Sequence, residues 1–274
     1  EFVQCDVDTV GVAGMLAEAE LLALASEAFG ALGLTIVLKV NNRKLLNGLL
    51  EDAGVTAEKQ AGALLSLDKL EKIGSEGVLS ELERERHVSA ATGKKLLALF
   101  EKAGSGVKAL AAIKKTLKSE EGKAGLSELE QLFGFLEAFS VKNVEFVPSL
   151  SRGLNYYTST VYEAFLAGNE TSAITASLAA GGRYDKMVGD FSNKSEIVPA
   201  VGISFGLDVI GEALKETLSQ SGSQDAIING PKVFVIAVGE TQTECIQLSQ
   251  HLRHAGISVL MDLSGRGVSK NLQW

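Results

Sequence analysis

Apolar and polar residues alternate from Phe2 to Val10: Val3, Cys5 and Val7 fall on one side, Gln4, Asp6 and Asp8 on the other. This period of two predicts a strand with one buried face and an opposite face rich in hydrogen-bond acceptors. The spacing then lengthens. Leu16, Ala19, Leu22, Leu24 and Ala28 recur at helical intervals within Met15–Phe29, ended by Gly30 and followed by Gly33, which predicts an amphipathic helix packed on the sheet. A β-branched run over Thr35–Val40 predicts a second strand, and Arg43–Leu50 a helix that stops near Gly54.

Strand patterns vanish between Val55 and Ser140. Helical spacing fills this stretch over 58–73, 78–86, 92–103, 107–118 and 127–139, with glycine-containing breaks between. Strand signals return at 144–147, 156–165, 177–180 and 199–205, the last leading through Gly206 into a helix over 207–218. A helical segment (55–140) therefore interrupts a sheet-bearing core (1–54 and 141–222). Ser219–Gly230 reads as a linker, and Val233–Val238, Thr241–His254 and Ile257–Met261 have the spacing of a βαβ unit, the opening of a further α/β domain over 231–274.

Composition adds boundaries. The 274 residues suffice for two domains, and no apolar run approaches the roughly 18 residues of a membrane span, so no membrane association and a cytoplasmic location are expected. The net charge of −8 argues against a protein that coats nucleic acid through a general basic field, although residues 55–140 balance 13 Lys+Arg against 13 Asp+Glu. Cys5 and Cys245 are too few for a disulfide framework and read as two buried, reduced thiols. His251 and His254, three apart on one helix, lack a third metal ligand nearby, and His87 sits in a charged run that reads as a solvated face.

Three clusters carry candidate chemistry. Ser151-Arg-Gly-Leu-Asn-Tyr-Tyr-Thr158 sets an arginine, able to grip a phosphate or carboxylate as a fork, ahead of Tyr156 and Tyr157, which a strand would point to opposite sides. The alternative is an arginine capping a sheet edge beside core tyrosines. In Ala180-Gly-Gly-Arg-Tyr-Asp185 the paired glycines permit close backbone approach to a ligand or a strand, and Arg183 can pair with Asp185. Gly202-Ile-Ser-Phe-Gly206 opens a helix whose N-terminus can receive an anion, or else simply packs strand on helix.

In their joint order these elements resemble histidyl-tRNA synthetases over nearly the whole chain. Glu1-Phe-Val-Gln-Cys-Asp-Val-Asp8 resembles the end of the second class II signature. Asn42-Arg-Lys-Leu-Leu46, Leu67-Asp-Lys-Leu70, Arg152-Gly-Leu-Asn-Tyr-Tyr157, Gly181-Gly-Arg-Tyr-Asp185 and Val198-Pro-Ala-Val-Gly202 follow in that family's order. The resemblance implies an α+β class II core with a six- or seven-stranded antiparallel sheet, a helical insertion that approaches the tRNA acceptor arm, and the start of an α/β anticodon-binding domain. It implies ATP with Mg2+, histidine and tRNA(His) as substrates and partners, and a homodimer at full length. Gln4 would hold the α-amino group of histidine, Asp8 and Tyr157 would read its imidazole, Tyr156 would line the pocket, and Arg152 would stabilise charge on the α-phosphate. Gly181, Gly182, Gly202 and Gly206 would supply pocket backbone, and no protein-bound metal is implied. The pairing is chemically apt, because a neutral imidazole offers one donor and one acceptor to a carboxylate and a phenol. Gln4 and Asp8, four apart on one strand face, lie within about 14 Å of each other.

Departures from the family pattern are expected to matter. The first signature, an acidic loop over histidine and an upstream arginine for ATP precede the point where this sequence starts, so these residues alone are not expected to catalyse; as a piece of a longer protein that objection falls. Gly206-Leu-Asp-Val209 carries valine where the family's Gly-Leu-Glu-Arg has an arginine for the terminal phosphate, a loss of about 2–4 kcal/mol of binding. Asn155 and Ser159 stand for the usual aspartate and glycine. The alternative is therefore a non-catalytic, synthetase-like regulatory or RNA-binding paralogue.

Overall fold

The computed structural model describes residues 2–153, 156–167, 174–192, 196–220, 232–263 and 268–271. The chain divides into two compact units, Glu1–Leu214 and Lys215–Trp274. The first opens with β1 (Gln4–Val10), α1 (Leu16–Ala31), β2 (Ile36–Asn42) and α2 (Arg43–Ala53). Five helices follow: α3 (Ala57–Leu67), α4 (Leu70–Arg84), α5 (Ala90–Ala103), α6 (Gly106–Lys114) and α7 (Glu120–Ala138). Then come β3 (Val144–Phe146), β4 (Thr160–Leu166), β5 (Ala179–Arg183), the short α8 (Met187–Phe191), β6 (Ala200–Gly206) and α9 (Leu207–Gln220), inside which the boundary between the units falls.

The six strands form one sheet in the order β1-β6-β5-β4-β2-β3. Every pair is antiparallel except β2 with β3, which run parallel with Leu38 opposite Val144. The exception to the all-antiparallel expectation has a topological cause: the chain between these strands is the whole run α2–α7, long enough for the crossover a parallel pair requires. Leu38 and Val40 of β2, Leu22 and Phe29 of α1, and Leu45, Leu129 and Leu132 from α2 and α7 belong to one continuous buried core. Phe29 meets Phe205 of β6 with ring centroids 5.6 Å apart, which fixes α1 against the sheet.

Several patterns read differently in three dimensions. Cys5 and Val3 are exposed and only Val7 of that side packs against the core, so the thiol of Cys5 is not a core group; β1 is an edge strand. Cys245 is half-buried. Leu16 and Leu24 are also exposed; Ala19 and Leu22 are buried as the spacing implied, and Ala17, Glu18, Leu21, Ala25 and Phe29 complete the buried face of α1. The helix read from residue 127 begins at Glu120, capped by Ser119 accepting from the Gly122 amide. Gly122 and Gly125 are not breaks: a Cβ on Gly48 would lie 2.4 Å from Gly122 Cα, and one on Gly125 2.4 Å from the Leu45 amide nitrogen. They are the places where α7 and α2 touch backbone to backbone. The helix read over 58–73 ends at Leu67, and α4 starts at Leu70 with a kink at Gly74.

In the second unit β7 (Val233–Val235) and β8 (Val259–Met261) pair in parallel around α10 (Gln242–His254), a βαβ unit, followed by α11 (Val268–Asn271). Residues 221–230 of the linker reading lie outside the described residues, while Ser219 and Gln220 are helical.

Candidate functional site

A cavity of about 660 Å3 opens where β1, β6 and β5 meet the loop before β4. Gln4, Asp6 and Asp8 enter it from one face of β1, as the period of two requires. Arg152, Tyr156 and Tyr157 close the opposite side, Gly181 and Tyr184 come from β5 and the turn after it, and Gly202, Gly206, Asp208 and Val209 come from β6 and the first turn of α9. Of the residues given a pocket role from sequence, Gly182 alone is not on the cavity wall: a Cβ there would lie 2.4 Å from the Thr160 carbonyl oxygen and 2.7 Å from the Tyr157 ring, so it backs that ring. Asn155 lies outside the described residues.

The glycines answer to space. Asp8 faces Gly202 across the β1–β6 pair, and a Cβ on Gly202 would sit 1.8 Å from Asp8 Oδ1. A Cβ on Gly181 would meet the Gly202 carbonyl oxygen at 2.1 Å and the Tyr162 ring at 2.6 Å. The bare Gly202 lets the Asp8 carboxylate lie over the sheet, where it accepts a hydrogen bond from the Tyr184 hydroxyl. Burial first, and then the neighbouring Asp8, push the Tyr184 phenol well above its ordinary pKa, so it is a donor across the neutral range. Tyr184 received no role from the sequence; its motif was visible, but the register that brings Tyr184 to Asp8 was not.

Tyr156 and Tyr157 do not point to opposite sides. β4 begins only at Thr160, so strand alternation does not apply, and the two rings pack at 4.5 Å with hydroxyls 3.4 Å apart. Tyr157 is buried, and desolvation raises its pKa despite the opposing pull of Arg152.

Arg152 is held by its loop. Asn41 Nδ2 donates to the carbonyls of Pro148 (3.0 Å) and Leu150 (2.8 Å), and Ser151 Oγ donates to the Leu64 carbonyl of α3 at 2.9 Å. Directly after these anchors Arg152 adopts φ of 50°, a left-handed backbone that costs a non-glycine residue energy and that clusters at ligand sites. Its guanidinium lies 5.5 Å from the centroid of the Tyr157 ring. Its Nη1 is buried with no hydrogen-bond partner, and Glu163 Oε1 stands 3.6 Å away.

On the far side of the tyrosine pair, Ser159 does more than replace a glycine. Its hydroxyl donates to Glu128 of α7 at 2.5 Å, and Asn42, the cap of α2, donates to both Ser159 (3.1 Å) and Glu128 (2.8 Å). Burial would raise the Glu128 pKa, but hydrogen bonds from Lys44, Ser159 and Asn42 outweigh it and hold the carboxyl below its ordinary value.

Among the described residues, the charged side chains that line the cavity are Asp6, Asp8 and Asp208 against Arg152. Such a site can bind an ammonium or imidazole group at its acidic wall and one anionic group at Arg152.

Known proteins resemble this chain over nearly its whole length. The family profile described as histidyl-tRNA synthetase matches residues 1–210. The chain belongs to the histidyl-tRNA synthetase family. Proteins named histidine–tRNA ligase 1 from two strains of Bacillus cereus are 40% and 41% identical to it, each over the whole chain, which spans 60% and 62% of their own length. The crystal structure of histidyl-tRNA synthetase from Nostoc sp. PCC 7120 superposes with a TM-score of 0.77 at 32% identity, covering 99% of this chain and 63% of that one. A structure from Bacillus halodurans, described as an ATP phosphoribosyltransferase regulatory subunit/histidyl-tRNA synthetase, shares the fold at 23% identity with a TM-score of 0.74. The synthetase family thus accounts for the α+β class of the fold.

Proposed function

We propose that this chain is the central part of a histidine–tRNA ligase, in which ATP activates histidine to an adenylate and the 3′ end of tRNA(His) takes the acyl group. The observation that carries the reading is the convergence of Gln4, Asp8, Tyr157 and Arg152 on one cavity, with Tyr184 hydrogen-bonded to Asp8. The Gln4 side-chain oxygen accepts from the α-ammonium group of histidine. Asp8, fixed by Tyr184, takes the imidazole N–H, and the Tyr157 hydroxyl donates to the other ring nitrogen. Arg152 grips the α-phosphate as the carboxylate of histidine attacks it, which requires a fixed cation and no proton transfer. Gly181, Gly202 and Gly206 keep the floor low, Gly182 seats Tyr157, and Tyr156 closes the rim.

Among the described residues no group of three or more His, Cys, Asp or Glu side chains converges as metal ligands. Mg2+ enters with the ATP phosphates, since this ion is commonly held by substrate phosphates together with one or two carboxylates. Residues 1–54 and 141–222 are the catalytic core, 55–140 the insertion directed to the acceptor arm, and 231–274 the start of the anticodon-binding domain. The full-length protein works as a cytoplasmic homodimer.

A second reading, a histidine-binding paralogue that does not use ATP, is favoured by the cavity's acidic excess and by Val209 on its wall. Isothermal titration of histidine into the full-length protein, with and without ATP and with histidinol as control, separates the two. The ligase reading expects histidine binding that tightens with ATP and releases pyrophosphate. Histidine binding without pyrophosphate release overturns it in favour of the second.

A further inference from the structure

Glu163 carries no role in the reading above, yet it is the carboxylate nearest the Arg152 guanidinium. It sits inside β4, opposite Lys39 of β2 and Ala180 of β5, with its side chain 20% exposed against 17% for that of Arg152. The spacing of 3.6 Å balances charge without making a hydrogen bond, and Arg152 Nη1 has no other acceptor. A counter-charge is therefore present while a donor stays open. Removing a counter-ion from a half-buried cation leaves that cation uncompensated, so any anion that reaches it is bound more tightly. A carboxylate left in place also repels the phosphates that Arg152 attracts, and at partial exposure this repulsion is softened without being abolished.

We propose that Glu163 sets the strength of the Arg152 anion site: it neutralises the guanidinium in the empty pocket and opposes the polyphosphate once bound, so that pyrophosphate is gripped weakly enough to leave. The inference rests on reading Arg152 as the phosphate-binding group. Glu163 is then an affinity-determining residue that acts through Arg152 and contacts no substrate itself.

Titration of inorganic pyrophosphate, free of metal, into the chain and into its Glu163→Gln variant tests this. The variant is expected to bind about tenfold more tightly at low ionic strength, with the gap narrowing as salt is added. Structural damage would not produce such a gain. In an Arg152→Ala background the same substitution is expected to change nothing, because the cation it acts through is gone. If the glutamine variant fails to fold, Glu163→Asp, which withdraws the same charge by one methylene, is expected to shift affinity in the same direction by a smaller factor. Pyrophosphate binding to the wild type with no tightening in the variant overturns the inference and leaves the proposed function standing. No binding to either protein overturns both.

Discussion

Arg152 and Arg183 both sit in signature segments, and the molecule treats them in opposite ways. Arg183 is 2% exposed and spends every donor: Nε and Nη2 donate to Glu18 at 2.6 and 2.7 Å, Nη1 to Val12 (2.9 Å) and Asp185 (3.2 Å), and Nη2 also to Gly14 (3.3 Å). Its partner Glu18 is fully buried and accepts from Thr160 as well. Arg152 sits on a left-handed backbone with a buried nitrogen unbonded. A saturated arginine is an internal tie, here between α1, the turn after β1 and β5. An unsaturated one, held by its neighbours and not by its own donors, is ready for a ligand.

The largest effect expected from this difference is in stability. Arg183→Ala strands Glu18 as a buried uncompensated charge and is expected to cost about 3–5 kcal/mol of unfolding free energy, read by chemical denaturation. A loss below 1 kcal/mol would mean that Glu18 finds other donors, and the contrast between the two arginines would collapse.

Gly202, under Asp8, and Gly181, its neighbour on β5, divide binding from stability. At Gly181 a new methyl would press on backbone, the Gly202 carbonyl oxygen at 2.1 Å and Ile203 Cα at 2.9 Å, so Gly181→Ala is expected to cost about 1–3 kcal/mol. At Gly202 the nearest obstacle is the end of the Asp8 side chain, which can swing away. Gly202→Ala is therefore expected to leave the melting curve nearly unchanged while histidine binding, measured by calorimetry, is lost with the Tyr184 contact. Comparable unfolding free energies for the two variants would contradict this division.

Glu128 extends the saturated class to a carboxylate and adds a pH signature. Its folded pKa lies below its ordinary value of 4.5, so its stabilisation is complete above pH 4.5 and fades as the pH falls through the folded value. Glu128→Gln is expected to cost about 1 kcal/mol at neutral pH, and its stability curve is expected to converge with that of the wild type in acid. Parallel curves down to pH 3 would show that the hydrogen bonds of Ser159 and Asn42 do not depend on the charge.

What was legible in the sequence follows the same division. Local periodicity was enough to put Gln4, Asp6 and Asp8 on one face, to stop α2 at Gly54 and to open the βαβ unit at Val233. It failed where the cause was non-local. Cys5 looked buried because alternation does not say that β1 is an edge strand. Gly122 and Gly125 looked like breaks because nothing in their own segment announces α2 alongside. Tyr156 and Tyr157 looked divergent because the start of β4 at Thr160 is set by pairing with Asn42. The partners of Asp8 and Arg152, Tyr184 and Glu163, are 176 and 11 residues away, and both depend on sheet register, which no single segment encodes.

The smallest effect expected is also the one that separates the two arginines most sharply. A residue at φ of 50° gains conformational ease from losing its Cβ, and the Arg152 backbone is held by Asn41 and Ser151, not by its guanidinium. Arg152→Gly is therefore expected to change unfolding stability by less than about 1 kcal/mol, with the relief of strain offsetting the greater freedom of glycine in the unfolded chain. The same variant is expected to abolish pyrophosphate binding, since Arg152 is the one cation among the described residues that line the cavity. A large loss of stability would place Arg152 with Arg183 as a tie of the fold, and retained pyrophosphate binding would move the anion site elsewhere.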